Sequence, residues 1–140
     1  MKKILSALVF AICLSVFDFC SAYDPYRYNP DYMYLSTFGI DQHSWYLYIP
    51  SVDVQEYNPP HYQIAGRFVT YVDGINGKYQ SESWRILVHR YNWYTKESFS
   101  LDDNGNWKKD PDGNSNAERS YRISADALFK VAYGMYFYGY

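Results

Sequence analysis

From Trp45 to Val88 the apolar positions recur mostly at every second residue, the period of strands with one buried and one wetter face. Trp45, Leu47 and Ile49 alternate with Tyr46 and Tyr48, and Pro50 is predicted to end this strand. Val52 and Val54 extend it after a bend, until Asn58-Pro59-Pro60 enforces a loop. Tyr62 to Asp73 reads as a long strand, with Tyr62, Ile64, Phe68 and Val72 on one face and Arg67, Val69 and Tyr71 on the other. Gly66 in its middle signals a bulge or a close backbone approach. Asp73-Gly74 and Asn76-Gly77 tolerate positive φ and reverse the chain. Ser83 to Tyr94 then pairs antiparallel with the strand before it. Phe99 to Leu101, Asp102-Asp103-Asn104-Gly105 and Trp107 give a further hairpin signal, and Asp110 to Asn116 reads as a polar loop.

Beyond Ser124 the period changes. Ala125, Leu128, Phe129, Ala132, Tyr136 and Phe137 recur at spacings of three and four, which predicts an amphipathic helix from about Ala125 to Tyr136 with Ser124 as N-cap. Gly134 should weaken it by about 1 kcal/mol relative to alanine, and Gly139 is placed to terminate it. The expected fold is α+β: an antiparallel sheet of about four to six strands packed by a C-terminal helix. Tyr136, Tyr138 and Tyr140 also alternate toward a terminal aromatic, the pattern of a small outer-membrane β-barrel. Eight strands of about ten residues would consume most of the chain, and the helical spacing before Tyr136 opposes that alternative.

The N-terminal segment follows neither period. Lys2 and Lys3 form a positive start, Ile4 to Phe17 an apolar run, and Cys20-Ser21-Ala22 a small-residue cleavage site, so residues 1–22 read as a signal peptide. The run is shorter than the about 20 apolar residues a spanning helix needs, which argues against a stable transmembrane anchor after cleavage. Neither Cys13 nor Cys20 follows the small residues that a lipidation signal requires. Residues 23–44, rich in tyrosine and proline, read as an extended leader, and 45–140 as a single domain. The expected localisation is export to the periplasm, cell surface or extracellular space.

Removing 22 of the 140 residues leaves 118, one domain's length. Both cysteines leave with the signal, so the exported part relies on packing without a disulfide. Taking Lys2, Lys3 and Asp18 from the 13 basic and 15 acidic residues leaves 11 and 14, a formal charge of −3. No basic footprint for nucleic acid is present. All 18 tyrosines fall after the cleavage site. Their rings suit half-buried sheet faces and contact surfaces alike.

Candidate chemistry is sparse. His43, His61 and His89 show no ligand spacing, so no metal or other cofactor is expected. Asp102 to Gly105 and Asp110 to Gly113 look like calcium loops but lack the alternating oxygen ligands, and read as turns. Ser51-Val52-Asp53 near His61 is the only nucleophilic arrangement to consider, and Glu56, Glu82 and Glu97 could in principle pair with an aspartate for glycoside hydrolysis. No catalytic residue is assigned, and a small secreted or periplasmic hydrolase stays an alternative.

The aromatic group Trp84, Trp93, Tyr94 and Trp107 carries the main expectation. Core packing is expected to claim Trp84, leaving Trp93, Tyr94 and Trp107 as ligand-binding candidates with exposed rings. The stretch Phe99 to Trp107 also looks like one unit of the aromatic turn repeats of cell-wall-binding proteins, without a second copy. Trp45-Tyr46-Leu47, the long strands around Arg67 to Val72 and Trp84 to Val88, and the hairpin ending at Trp107 together resemble small exported bacterial domains, including the surface-adhesin protein E type. The resemblance covers about the last two thirds of the chain. It implies adhesion or envelope binding to a protein or glycan partner, and transfers no ligand residue.

Overall fold

The computed structural model of the chain describes residues 24–40, 42–74 and 81–139. Residues 1–22, read from sequence as an export signal, Tyr23, the Asn76-Gly77 pair expected to reverse the chain, and Tyr140 lie outside these residues. Six strands form one sheet: β1 (Tyr32–Phe38), β2 (His43–Asn58), β3 (His61–Val72), β4 (Ser81–Asn92), β5 (Glu97–Leu101) and β6 (Trp107–Lys109). Each pairs antiparallel with its sequence neighbours, in the order β1-β2-β3-β4-β5-β6. One helix, α1 (Asn116–Tyr133), packs on one face, so the protein is α+β as the periodicity predicts.

The boundaries differ from the pattern in four places. β1 lies inside the stretch 23–44 that proline and aspartate mark as a leader. Met33 and Leu35 turn toward the helix-side core while Tyr32 and Tyr34 stand opposite Tyr48 and Tyr46, so tyrosine is the wetter partner in a true alternation. β2 also runs through Pro50, because the β2–β3 register slips between Tyr48 and Asp53. In that bulge Ser51 Oγ accepts from the Arg67 N–H at 2.7 Å and donates to the Tyr48 carbonyl at 2.6 Å, replacing lost ladder partners.

Gly66 stands opposite that bulge, and its own strand stays in register with β4. It is the close-approach site: a Cβ there would lie 2.5 Å from Leu128 Cδ2 and 3.1 Å from Leu47 Cδ1. Finally, α1 starts at Asn116 instead of near Ala125. Ser115 is the N-cap, and its capping box with Glu118 satisfies the first amides. The first two turns carry few apolar residues, so the helical period is visible only where the helix crosses the core. Gly134 (φ 76°) ends the helix as a left-handed cap, and Tyr136 and Phe137 lie beyond it.

Leu47, Ile64, Phe68 and Tyr91 of the sheet pack with Leu128 and Phe129 of the helix and with Phe137 of the tail. Burying Leu128 completely stabilises the fold by about 1.5–3 kcal/mol. Phe137 lies 4.9 Å from Tyr91 and 5.3 Å from Phe129, ring centre to ring centre, which pins the tail after the helix to the sheet. No described helix is long and apolar enough to cross a membrane.

Candidate functional site

Because side chains alternate across a sheet, a helix on one face leaves the other face to different residues. On β4, Leu87, His89 and Tyr91 face α1, while Trp84, Ile86, Val88 and Arg90 face away. The segment before β1 crosses part of this open face. Tyr26 is buried there against Tyr32, Tyr46 and Tyr71, and its hydroxyl donates to Glu82. Tyr46, fully buried, donates to Asp24. Burial raises both phenols above their ordinary range, and the neighbouring carboxylates add to the rise, so both remain hydrogen-bond donors.

Past that tyrosine cluster no described segment covers the face. Trp84 is 42% exposed, and its ring is held edge-on by Tyr26, Tyr32 and Tyr48 at 6.2 to 6.4 Å. The Arg67 guanidinium sits 5.9 Å from that ring, and the indole N–H donates to Glu82. Ile86, 65% exposed, follows on the same strand. Across β5 and β6, Phe99, Leu101 and Trp107 continue the face, with Arg90 4.0 Å above the Trp107 ring. Arg90 Nε also donates to Gln63 at 2.8 Å. The result is an array in which indoles alternate with hydrogen-bonding groups.

This changes the assignment of the aromatic candidates. Trp84, expected in the core, is on the open face. Trp93, expected to be exposed, is half-buried and stacked on Phe129 at 5.5 Å, with Lys96 Nζ 3.0 Å above it. Trp93, just past the end of β4, keeps the parity of Leu87, His89 and Tyr91 and so falls on the helix side. Tyr94 is 82% exposed in the turn before β5, and Trp107 is half-buried opposite Leu101 at that strand's far end. The structure therefore does not gather Trp93, Tyr94 and Trp107 into one site.

The catalytic arrangement considered from sequence does not assemble either. His61 pairs with Asn58 and Asp53 with Ala65, four positions apart along β3, and Ser51 is committed to the backbone. The three histidines sit apart, and no described group of histidine, cysteine, aspartate or glutamate could hold a metal ion. Asp102 Oδ1 accepts from the amides of Asn104 and Asn106, which makes that loop a hairpin turn.

One constellation escaped the sequence reading. On the helix-covered side, His89 is fully buried, with Nδ1 2.9 Å from Asp110 Oδ2 and Nε2 3.0 Å from Ser124 Oγ. Ser98 donates to the same Asp110 oxygen, and the Tyr138 hydroxyl lies 2.7 Å from Ser98 Oγ. Ser124 Oγ also lies 2.9 Å from the Tyr121 carbonyl, so its single proton has two acceptors. A signal was available: His89 falls on the inward parity of Leu87 and Tyr91, and Ser124 one helical turn before Leu128. A polar residue at two core-facing positions needs partners.

No protein-family model, curated protein or solved structure matches the chain.

Proposed function

We propose that this chain is an exported binding domain of the cell envelope, and that its uncovered sheet face lies against a glycan. The observation that carries the reading is the split between the faces. One is packed by α1, while the other presents Trp84, Ile86 and Trp107 with guanidinium groups over both indoles. Rigid rings lose little entropy on binding, and those held by neighbours lose less. Arg67, Gln63, Glu82 and Arg90 separate the apolar groups, which suits a partner alternating C–H surfaces with hydroxyls. The export signal and the adhesin-like strand set support the same compartment.

The test is retention of the purified domain on envelopes of the native cell, before and after protease treatment and after enzymatic deglycosylation. A glycan partner predicts retention that survives protease and is lost on deglycosylation. The reverse result assigns the face to a protein partner and overturns the glycan reading. In either arm, Trp84→Ala combined with Trp107→Ala should weaken retention at least tenfold.

A further inference from the structure

We propose that Ser124 is the nucleophile of a second, chemically active site on the helix-covered side, cleaving small esters with His89 as base and Asp110 as positioning carboxylate. The order of groups is the one acyl transfer requires. Asp110 at Nδ1 holds the ring in the tautomer that leaves the Nε2 lone pair for the Ser124 hydroxyl, 3.0 Å away. Asp110 is itself fixed by the Ser98 hydroxyl, and its amide donates to the Ser98 carbonyl at 2.9 Å. A cavity of ≈ 420 Å³ between α1 and strands β3 and β4 reaches Ser124. That volume lies within the range of about 300–1,000 Å³ typical of small-molecule sites.

The walls indicate the substrate. Phe68 and Leu87 give the cavity apolar walls, and the polar residues Thr70, Ser120 and Arg85 also line it. Ser124 is almost entirely buried, so only a compact acyl group reaches its oxygen. In mid-helix the backbone amide of Ser124 is spent on the helical ladder. The Ser120 hydroxyl donates to the Ala117 carbonyl at 2.6 Å, so the developing oxyanion falls to Arg85 or Thr70. Rotation of the Ser124 hydroxyl from the Tyr121 carbonyl to His89 Nε2 readies the attack.

Ser124 Oγ then bonds to the ester carbonyl carbon as its proton passes to Nε2. The C–O bond to the leaving alcohol breaks, and the alcohol takes that proton. Water, deprotonated by His89, attacks the acyl-serine, and the proton returns to Ser124 as the acid leaves.

Ser124, His89 and Asp110 lie on the face opposite the glycan surface, although Trp84 also borders the cavity, and because the labelling below reads Ser124 the two readings stand or fall separately. The experiment is labelling of the folded, full-length exported protein with an alkyl fluorophosphonate, read by intact mass and peptide mapping. An activated serine displaces fluoride to form one Ser124 O–P bond. The expected result is a single adduct on Ser124, absent from Ser124→Ala and from urea-unfolded protein, and formed at least about 100-fold more slowly in His89→Gln, the lower range for loss of a general base. No adduct, adducts confined to tyrosines, or a Ser124 adduct that forms equally fast on unfolded protein would each overturn the proposal. The unfolded control keeps the test decisive should His89→Gln fail to fold.

Discussion

Adding one methyl group at Gly66 should destabilise this protein, although alanine ordinarily suits a strand better than glycine by about 0.5–1 kcal/mol. The new Cβ would stand 2.5 Å from Leu128 Cδ2, against about 3.5–4.0 Å for a relaxed carbon contact. Leu128 cannot swing into solvent, because it is fully buried between sheet and helix. Relief requires the helix or the Leu47 side of the sheet to shift. Overpacking of this kind costs about 1–3 kcal/mol, and its central value of about 2 against a strand gain of about 0.75 leaves a net loss near 1 kcal/mol. Urea unfolding followed by tryptophan fluorescence measures it through the midpoint at unchanged slope.

The double variant isolates the cause. Leu128→Ala alone should cost about 2–5 kcal/mol, and Gly66→Ala should add little to it because the methyl occupies vacated space. A Gly66→Ala protein as stable as the parent, or two single losses that simply add, would show that this helix does not press on Gly66.

Ser115→Ala should lower stability by about 1 kcal/mol through loss of the N-cap, seen as an earlier thermal midpoint. Trp93→Ala should cost about 2 kcal/mol or more, since its ring stacks on Phe129. Trp107→Ala should cost no more than about 1 kcal/mol, chiefly its contact with Arg90. The Lys108 ammonium, with the amides of Asn106 and Asn104, holds the Asp102 carboxyl at about 2. The lowered pKa stabilises the turn in full above the unfolded carboxyl's range, and that stability declines as pH falls from there to the folded value. An NMR titration should therefore find the Asn104 and Asn106 amides unchanged until near pH 2, and a midpoint near 4 would refute the turn geometry. Mass spectrometry of the native protein should find Tyr23 as its first residue, in an extracytoplasmic fraction.

Where period two met clear turn residues, the sequence was enough. β3, the Asn104-Gly105 hairpin and the inward row Leu128, Phe129 and Ala132 follow from local pattern. β1 was hidden because tyrosine serves both as a polar and as a packing residue, so Tyr32 and Tyr34 read as tail. Trp84 and Trp93 exchanged roles for a related reason: β4 carries large apolar groups on both faces, which leaves its parity undetermined from sequence. The Ser124–His89–Asp110 line is long-range, spanning separations of 35 and 21 residues, and only the register of β4 against the helix brings it together.

The four tryptophans divide evenly between the faces, with Trp45 and Trp93 on the helix side and Trp84 and Trp107 on the open side. Indole N–H resonances recorded while envelope glycan fragments are added report on each ring separately. The Trp84 and Trp107 signals should move with saturating dependence on glycan, while those of Trp45 and Trp93 stay in place. Movement of Trp45 and Trp93 instead, or no movement at all, would contradict the glycan reading.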